Sequence, residues 1–422
     1  MSFITQPVNI AFANSPMLYD VYNANYNQTD FKYGLEVYIW TGESSSPPAS
    51  ATYTLSKQPN SASKAVFDIS RLVREFIQVQ HPKDLTETLN PAINDIVWVQ
   101  CTATFTWNGG SASDIDSNIV LATRGYSFYD DGKVNYDNRS NLGNSFASAF
   151  ATYVTEDDGR IEGTACIDSE LETPYEYIYS RGGYLPTYAP LKYKTFANGL
   201  LTIALFTDYV DSIVITDDNG NSKTIAVSTG TTSESKLKYL NCSPNKIQLL
   251  GLDYTDSYTI TASKNAIQYA DTYTVEVLCE SKYEPMQLCY LNKMGVWDYF
   301  TFFKRSNESV STTKTSYMKS ALDYGTTSTS VSYNQEAGER GTFLSNGFRT
   351  YTLNSGFVDE KEGERIEQLM LSEKVILNTK QTTYRVEVTD TGMSIKKSTN
   401  DKLINYTITI KDAHRRINKV DS

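Results

Sequence analysis

Apolar residues over the first 280 positions recur at every second residue in short runs, each closed by Gly, Asn, Asp or Ser. "LEVYIW" (35–40), "ATYTLSK" (51–57), "DIVWVQCTATFTW" (95–107) and "NIVLATRGYSF" (118–128) form a first set. This alternation predicts half-buried antiparallel strands, and their spacing suits a β-sandwich. "WNGG" closes the third run as a tight-turn signal, because Asn and Gly tolerate positive φ. The period changes once. In "FDISRLVREFIQ" (67–78), Ile69, Leu72, Val73, Phe76 and Ile77 recur at i, i+3, i+4, i+7 and i+8, which predicts an amphipathic helix over 68–78 with Asp68 as its cap. It is expected to lie across one sandwich edge, with Arg71, Arg74 and Glu75 facing solvent or a neighbouring subunit.

Residues 129–165, with "DDGKVNYDNRSNLGNS" at their start, are polar and turn-rich and mark a break. A second strand set follows: "LLTIALFT" (200–207), "SIVITDDNGNSKTIAVS" (212–228), "NKIQLLGL" (245–252), "SYTITAS" (257–263) and "TYTVEVLCES" (272–281). The second of these is a hairpin with Asn219 and Gly220 at its tip. The fold expected is mainly β. It has an N-terminal sandwich at 1–135, a connector at 136–165, a second sandwich-like domain at 166–281 and a small α+β domain at 282–422. The last contains a helix in "FVDEKEGERIEQLMLSE" (357–373), with Asp359 as cap, Glu362 completing a capping box and Ile366, Leu369 and Met370 on the apolar side. Strands are expected at 374–378, 384–390, 394–397 and 403–413.

Two stretches break the alternation rule. "QLCYLN" (287–292), a turn at Gly295 and "VWDYFTFFKR" (296–305) read as a hairpin. Its second arm sends Trp297, Tyr299, Thr301 and Phe303 one way and Val296, Asp298, Phe300 and Phe302 the other. A strand apolar on both faces is either covered on both sides within its own chain or completed by a partner. The Ser/Thr-rich tract 306–341 comes next, with too little apolar surface to offset the entropy of ordering alone, so it is expected to be an arm or long loop that orders against something else. The candidate interface residues are Trp297, Tyr299, Phe300, Phe302 and Phe303, with Tyr317, Tyr324 and Tyr333 in the tract.

Composition supports contact rather than chemistry. Tyr outnumbers Phe 31 to 17, and tyrosine offers stiff, amphipathic contact area at protein surfaces, although β-rich proteins carry much Tyr in any case. A formal net charge of −11 disfavours bulk nucleic-acid binding, which needs clustered Lys and Arg; His414, Arg415 and Arg416 read as a solvated tail. The five cysteines (Cys101, Cys166, Cys242, Cys279, Cys289) include no C-x-x-C pair and are expected to be free and buried. No run approaches the ~18 apolar residues of a membrane span, and no basic segment precedes the short apolar run near Met1, so neither membrane nor general secretion is expected.

With only two histidines, His81 and His414, a His-based catalytic site or a zinc site lacks its parts. "TDDNGN" (216–221) has the composition of a calcium loop, but Gly220 is at the fourth position rather than the sixth and no Glu stands at the twelfth, so it reads as a turn. "YDDGK" (129–133) reads the same way. Gly182–Gly183 lacks the Lys-Ser/Thr and the helix of a phosphate loop. The sequons at Asn27 and Asn405 carry no weight in a chain this rich in Asn, Ser and Thr. No cofactor and no enzymatic activity are expected.

The segments "YGLEVYIW…YTLSKQPNSASKAVFDISRLVREFIQ", "YEPMQLCYLNKMGVWDYFTFFKRS…SYMKS" and "ERIEQLMLSEKVIL…YRVEVTD…LINYTITIKDA", in that order, give the chain a resemblance to structural proteins of tailed phages infecting Bacteroidetes. The kind it resembles is the ring or collar protein of the neck and tail of crAss-like podoviruses. The resemblance implies a virion component made in the host bacterial cytoplasm. It also implies contact with copies of itself in a ring and with other tail or neck proteins, and it carries over no active-site residues. Two rival readings are a carbohydrate-binding or adhesin-like surface protein on the same β-rich scaffold and a tail-associated glycan-cleaving enzyme. The first would want a secretion signal or lipoprotein cysteine, and the second a carboxylate constellation or a β-helix repeat, which the sequence does not offer.

Overall fold

The computed structural model describes residues 2–7, 10–41, 47–82, 87–92, 94–126, 190–207, 210–227, 237–264, 267–278, 282–320, 322–323, 332–333, 336, 338–360, 362–379, 382–390, 392, 404–414 and 416–419. The connector 136–165, the strand expected at 394–397, Cys166, Cys279, Arg415 and Tyr324 lie outside the described residues. The protein is mainly β. Its residues fall into two compact units: one formed by 1–279, 289–301 and 361–373, the other by 280–288, 302–360 and 374–422. The expected single C-terminal domain at 282–422 is therefore corrected, since two of its segments cluster with the N-terminal part.

In the first unit, β1 (Ser2–Thr5), β3 (Leu18–Tyr22) and β6 (Lys64–Asp68) make a three-stranded sheet. A second sheet runs β2 (Ile10–Phe12), β10 (Val120–Thr123), β8 (Ile96–Trp107), β4 (Lys32–Trp40), β5 (Tyr53–Lys57), with β9 (Gly110–Asp116) also on β8. Strand β4 shows why the sequence pattern worked: Tyr33, Leu35, Val37 and Ile39 are buried and the residues between them are not. Burying one side chain in two against a second layer is what a sandwich strand does. The Cys101 thiol of β8 lies beside Tyr19 of β3, across the two sheets.

Helix α1 spans Ser70–Phe76 rather than 68–78. Lys64–Asp68 are claimed by β6, whose ladder with β3 pairs Phe67 with Tyr19 and Asp68 with Leu18. Ile69 takes the N-cap position and no side chain caps the helix; Asp68 instead accepts the N–H groups of Met17 and Ser70. Val73 and Ile77 are buried, while Phe76 is 38% exposed and packs edge-on against Tyr53.

Two further sheets belong to the first unit. One is β12 (Thr202–Phe206), β15 (Leu237–Asn241) and β7 (Leu89–Pro91). The other is β11 (Lys192–Thr195), β17 (Ile267–Val277), β16 (Ser257–Lys264), β13 (Ser212–Asp217), β14 (Ser222–Ala226). Strand β7 comes from the segment assigned to the first sandwich yet pairs with β15 of the second, Leu89 opposite Leu240. The β13–β14 hairpin turns at Gly220, φ +87°, as expected. The strand expected at 245–252 is instead helix α2 (Pro244–Leu249). Pro244 starts it where no N–H is needed, and Gly251 ends it at φ +85°.

The hairpin β18 (Met286–Leu291) and β19 (Trp297–Phe302) turns at Gly295, φ +82°. Helix α3 (Glu362–Leu371) buries Ile366 and Leu369. Asp359 is three residues before its first residue, too far out to cap it, and Glu362 pairs instead with Arg365 at 3.0 Å; the expected capping box is corrected.

The second unit is an antiparallel sheet in the order β24 (Val375–Asn378), β25 (Thr383–Val388), β26 (Ile404–Asp412), β23 (Arg340–Val358), β20 (Asn307–Met318), with β27 (Arg416–Lys419) also on β23. Strand β27 occupies what was expected to be a solvated tail, pairing Arg416 with Gly347 and Ile417 with Asn346. Two short strands, β21 (Leu322–Asp323) and β22 (Ser332–Tyr333), pair with each other.

Candidate interaction surface

The aromatic hairpin is core. Trp297 is 3% exposed, Tyr299 2%, Phe302 1% and Phe300 and Phe303 6% each. The expectation that these five residues meet a neighbouring subunit is corrected, because a ring closed off from solvent by its own chain has no surface left to present.

The polar atoms on this strand are satisfied at home. Trp297 donates its indole N–H to the carbonyl of Gln80 (2.7 Å), and His81 stands edge-on to its ring at 5.0 Å. Tyr299 shares a 2.6 Å hydrogen bond with the Thr202 hydroxyl. Asp298, 2% exposed, accepts from the Tyr193 hydroxyl at 2.9 Å and from the N–H of Tyr299 at 2.7 Å. Burial first, then the Asp298 charge, pushes the Tyr193 hydroxyl well above the ordinary tyrosine value. Arg365 of α3 lies over the Tyr193 ring at 4.4 Å and donates to the carbonyls of Lys192 and Pro190 and to Glu362. Burial acts to lower its pKa, but Glu362, Tyr193 and Asp298 outweigh that and hold it charged.

Beside this network Tyr193, Thr202, Asn292, Val296, Trp297 and Asp298 line a cavity of about 10 Å³. That is room for one water, not a substrate. Among the described residues no group of three or more His, Cys, Asp or Glu is disposed to hold a metal ion. Asp217 is occupied by the side chain and N–H of Asn221 and by further backbone N–H groups, and its pKa is lowered accordingly. Asp218 accepts from the N–H groups of Asp256, Thr255 and Ser257, and its pKa is lowered too. Both carboxylates fasten the hairpin tip to the 253–257 loop. Cys101, Cys242 and Cys289 are free and buried, and desolvation raises each thiol above its ordinary value.

What remains open is the tract. Strand β20, "NESVSTTKTSYM", is exposed at all twelve positions. It pairs with β23 from Asn307↔Thr352 to Met318↔Arg340, and among the described residues it stands at the end of the sheet order, with β23 as its neighbour. The expected arm is thus a strand of an antiparallel ribbon, ordered by its own chain. Thr favours the extended backbone, and the ladder satisfies main-chain groups without any apolar face. The ribbon carries exposed apolar side chains: Val310 at 58%, Tyr317 at 47%, Met318 at 70% and Phe343 at 67%. Tyr317 lies across Gly341, close enough that a Cβ there would stand 2.5 Å from the ring. Glu308 and Arg349 form an ion pair across it at 2.8 Å. Of the three tyrosines proposed for contact, Tyr317 lies on this surface; Tyr333 pairs by its backbone with Leu322.

A polar strand twelve residues long at a free sheet edge presents unpaired N–H and C=O groups along its outer side, the usual template for strand addition by another chain. Edges that avoid this carry Pro, dense charge or inward-pointing Lys. Strand β20 carries no Pro and two charges, Glu308 and Lys314.

No protein-family model matches the chain, and no curated protein matches it. One solved structure, "Biofilm associated protein - BSP domain", is similar over 82% of this chain at 10% identity and a TM-score of 0.17. The match spans 63% of that protein's chain. A likeness at that level gives no shared fold and favours no reading of function. Among the described residues no helix is long and apolar enough to cross a membrane.

Proposed function

We infer that the chain is a non-enzymatic structural protein of a phage virion, part of a multi-subunit ring in the neck or tail that contacts copies of itself and neighbouring tail proteins. The observation that carries the assembly part is β20 of the β20–β23 ribbon, a long polar edge strand exposed at every residue. Such an edge is a contact element, able to give affinity through main-chain hydrogen bonds while the flanking side chains set specificity. The phage setting rests on the resemblance of the ordered segments described above. Rings are closed by one heterologous contact repeated around an axis, and an element projecting polar backbone suits an interface that must stay soluble before assembly.

Two measurements test this together. Peptides of the chain are expected in purified virions at a fixed ratio to the other tail proteins. The purified chain, alone or with those proteins, is expected to give a discrete ring in negative-stain images. A chain missing from virions, or one that forms no closed oligomer with any tail protein, would overturn the reading.

A further inference from the structure

The two charges of β20, Glu308 and Lys314, have an even separation and therefore share one face of the strand. When a strand pairs antiparallel with a second copy of itself about a two-fold axis, residues whose numbers have a constant sum meet. With Ser311 on the axis, Glu308 of each copy faces Lys314 of the other. Val310 then faces Thr312, Ser309 faces Thr313 and Asn307 faces Thr315, so no like charges meet.

The backbone imposes a second, independent condition. The N–H of Lys319 donates to the carbonyl of Glu339 at 2.8 Å, so odd-numbered residues of β20 direct their N–H and C=O groups towards β23. The even-numbered residues direct theirs to the free edge. The ladder's one irregularity, between Thr315 and Ser316, leaves this alternation intact because the extra residue, Phe343, is on β23. Strand addition at the free edge must therefore pair even residues with even ones. The charge-matched register does so, joining 308 to 314 and 310 to 312. A register centred between two residues would set even positions against odd ones and lose the ladder.

We propose that two copies of this chain associate edge to edge through β20, antiparallel and centred on Ser311, extending the ribbon of each copy into one continuous sheet. The occupant of the edge is a second copy because both conditions are met by the strand's own sequence. Polar strands specify register weakly by burial; here the two reciprocal charge pairs specify it. This inference rests on the same edge that carries the ring reading and gives it an isologous two-fold contact, which closes after two copies; a ring is then one of dimers, joined through another surface.

Sedimentation velocity of the full chain over a concentration series tests it. The unaltered protein is expected to show a monomer–dimer equilibrium. Thr312→Pro removes a donor at the free edge while leaving the β23 ladder, since edge strands accept proline where the N–H faces outward; it is expected to abolish the dimer. Lys314→Glu sets carboxylate against carboxylate twice and is expected to weaken the dimer about tenfold or more. Glu308→Lys with Lys314→Glu and Arg349→Glu restores opposite charges both within and between ribbons, and it is expected to recover dimerisation. Circular dichroism and thermal melting establish that each variant is folded. A protein that stays monomeric throughout, a dimer that survives in folded Thr312→Pro, or a charge swap no better than Lys314→Glu alone would each overturn the proposal. A ring-sized oligomer indifferent to Thr312→Pro would overturn it while leaving the ring reading in place.

Discussion

Trp297 illustrates how a large aromatic residue is retained in a core at low polar cost. Its ring is 3% exposed and its one polar atom is spent on the Gln80 carbonyl, so it contributes apolar burial without leaving a donor unsatisfied. Trp297→Ala is expected to destabilise the first unit by about 3–5 kcal/mol through lost contacts and the cavity left behind. Chemical denaturation would measure it, and a loss below about 1 kcal/mol would mean the ring is not core. Asp298 and Arg365 follow the same rule with charges, each buried and each held by several partners. Period-2 reading had identified these strand positions as apolar on both faces. What it lacked was the cover, because Gln80, Tyr193 and Thr202 lie roughly a hundred residues or more away in the chain and no local pattern connects them to Trp297.

At the scale of elements, the turn between β18 and β19 is fixed from outside as well as by its own backbone. Thr123 donates its hydroxyl to the Met294 carbonyl and Tyr126 its N–H to the Lys293 carbonyl, both at 2.8 Å. A Cβ on Gly295 would stand 2.3 Å from the backbone nitrogen of Gly125. Gly109, in the β8–β9 turn, has a similar φ of +88° but nothing within 4 Å of where its Cβ would be. Gly109→Ala is thus expected to cost about 1 kcal/mol in backbone strain alone. Gly295→Ala should cost distinctly more, because backbone must move away from backbone. Equal melting temperatures for the two variants would contradict this.

The elements also show where sequence reading succeeds and fails. Strands β4, β13 and β16 were legible because their residues alternate between buried and more open positions, as does β8 beyond Val99. Helix α2 reads as a strand from "KIQLL", a short and largely apolar run, although Pro244 before it and Gly251 after it are helix punctuation. Strand β20 was read as an arm because its exposed faces give no hydrophobic period at all. Its order comes from main-chain bonding to β23, which a side-chain pattern does not record. Of the residues named for contact, Tyr317 in the tract is exposed, while the aromatic strand before it is interior.

For the whole molecule, the division into units does not follow the order of the chain. The first unit takes 1–279 and then two later segments, 289–301 and 361–373, with the second unit's 302–360 between them. A fragment of residues 282–422 is accordingly expected to fail as an independent domain, since it carries Trp297, Tyr299, Ile366 and Leu369 without the residues of 1–279 that cluster with them. Recovery of a soluble, cooperatively melting fragment would contradict this partition. The same interleaving sets a timetable on the ribosome. Residues 1–279 emerge first but remain without α3 until Leu371 has been made, a wait of roughly 5 to 20 seconds at ordinary elongation rates. During that interval the nascent chain exposes the seat of Arg365 and the surface that α3 will cover, so the first unit is complete only after its last helix has been made.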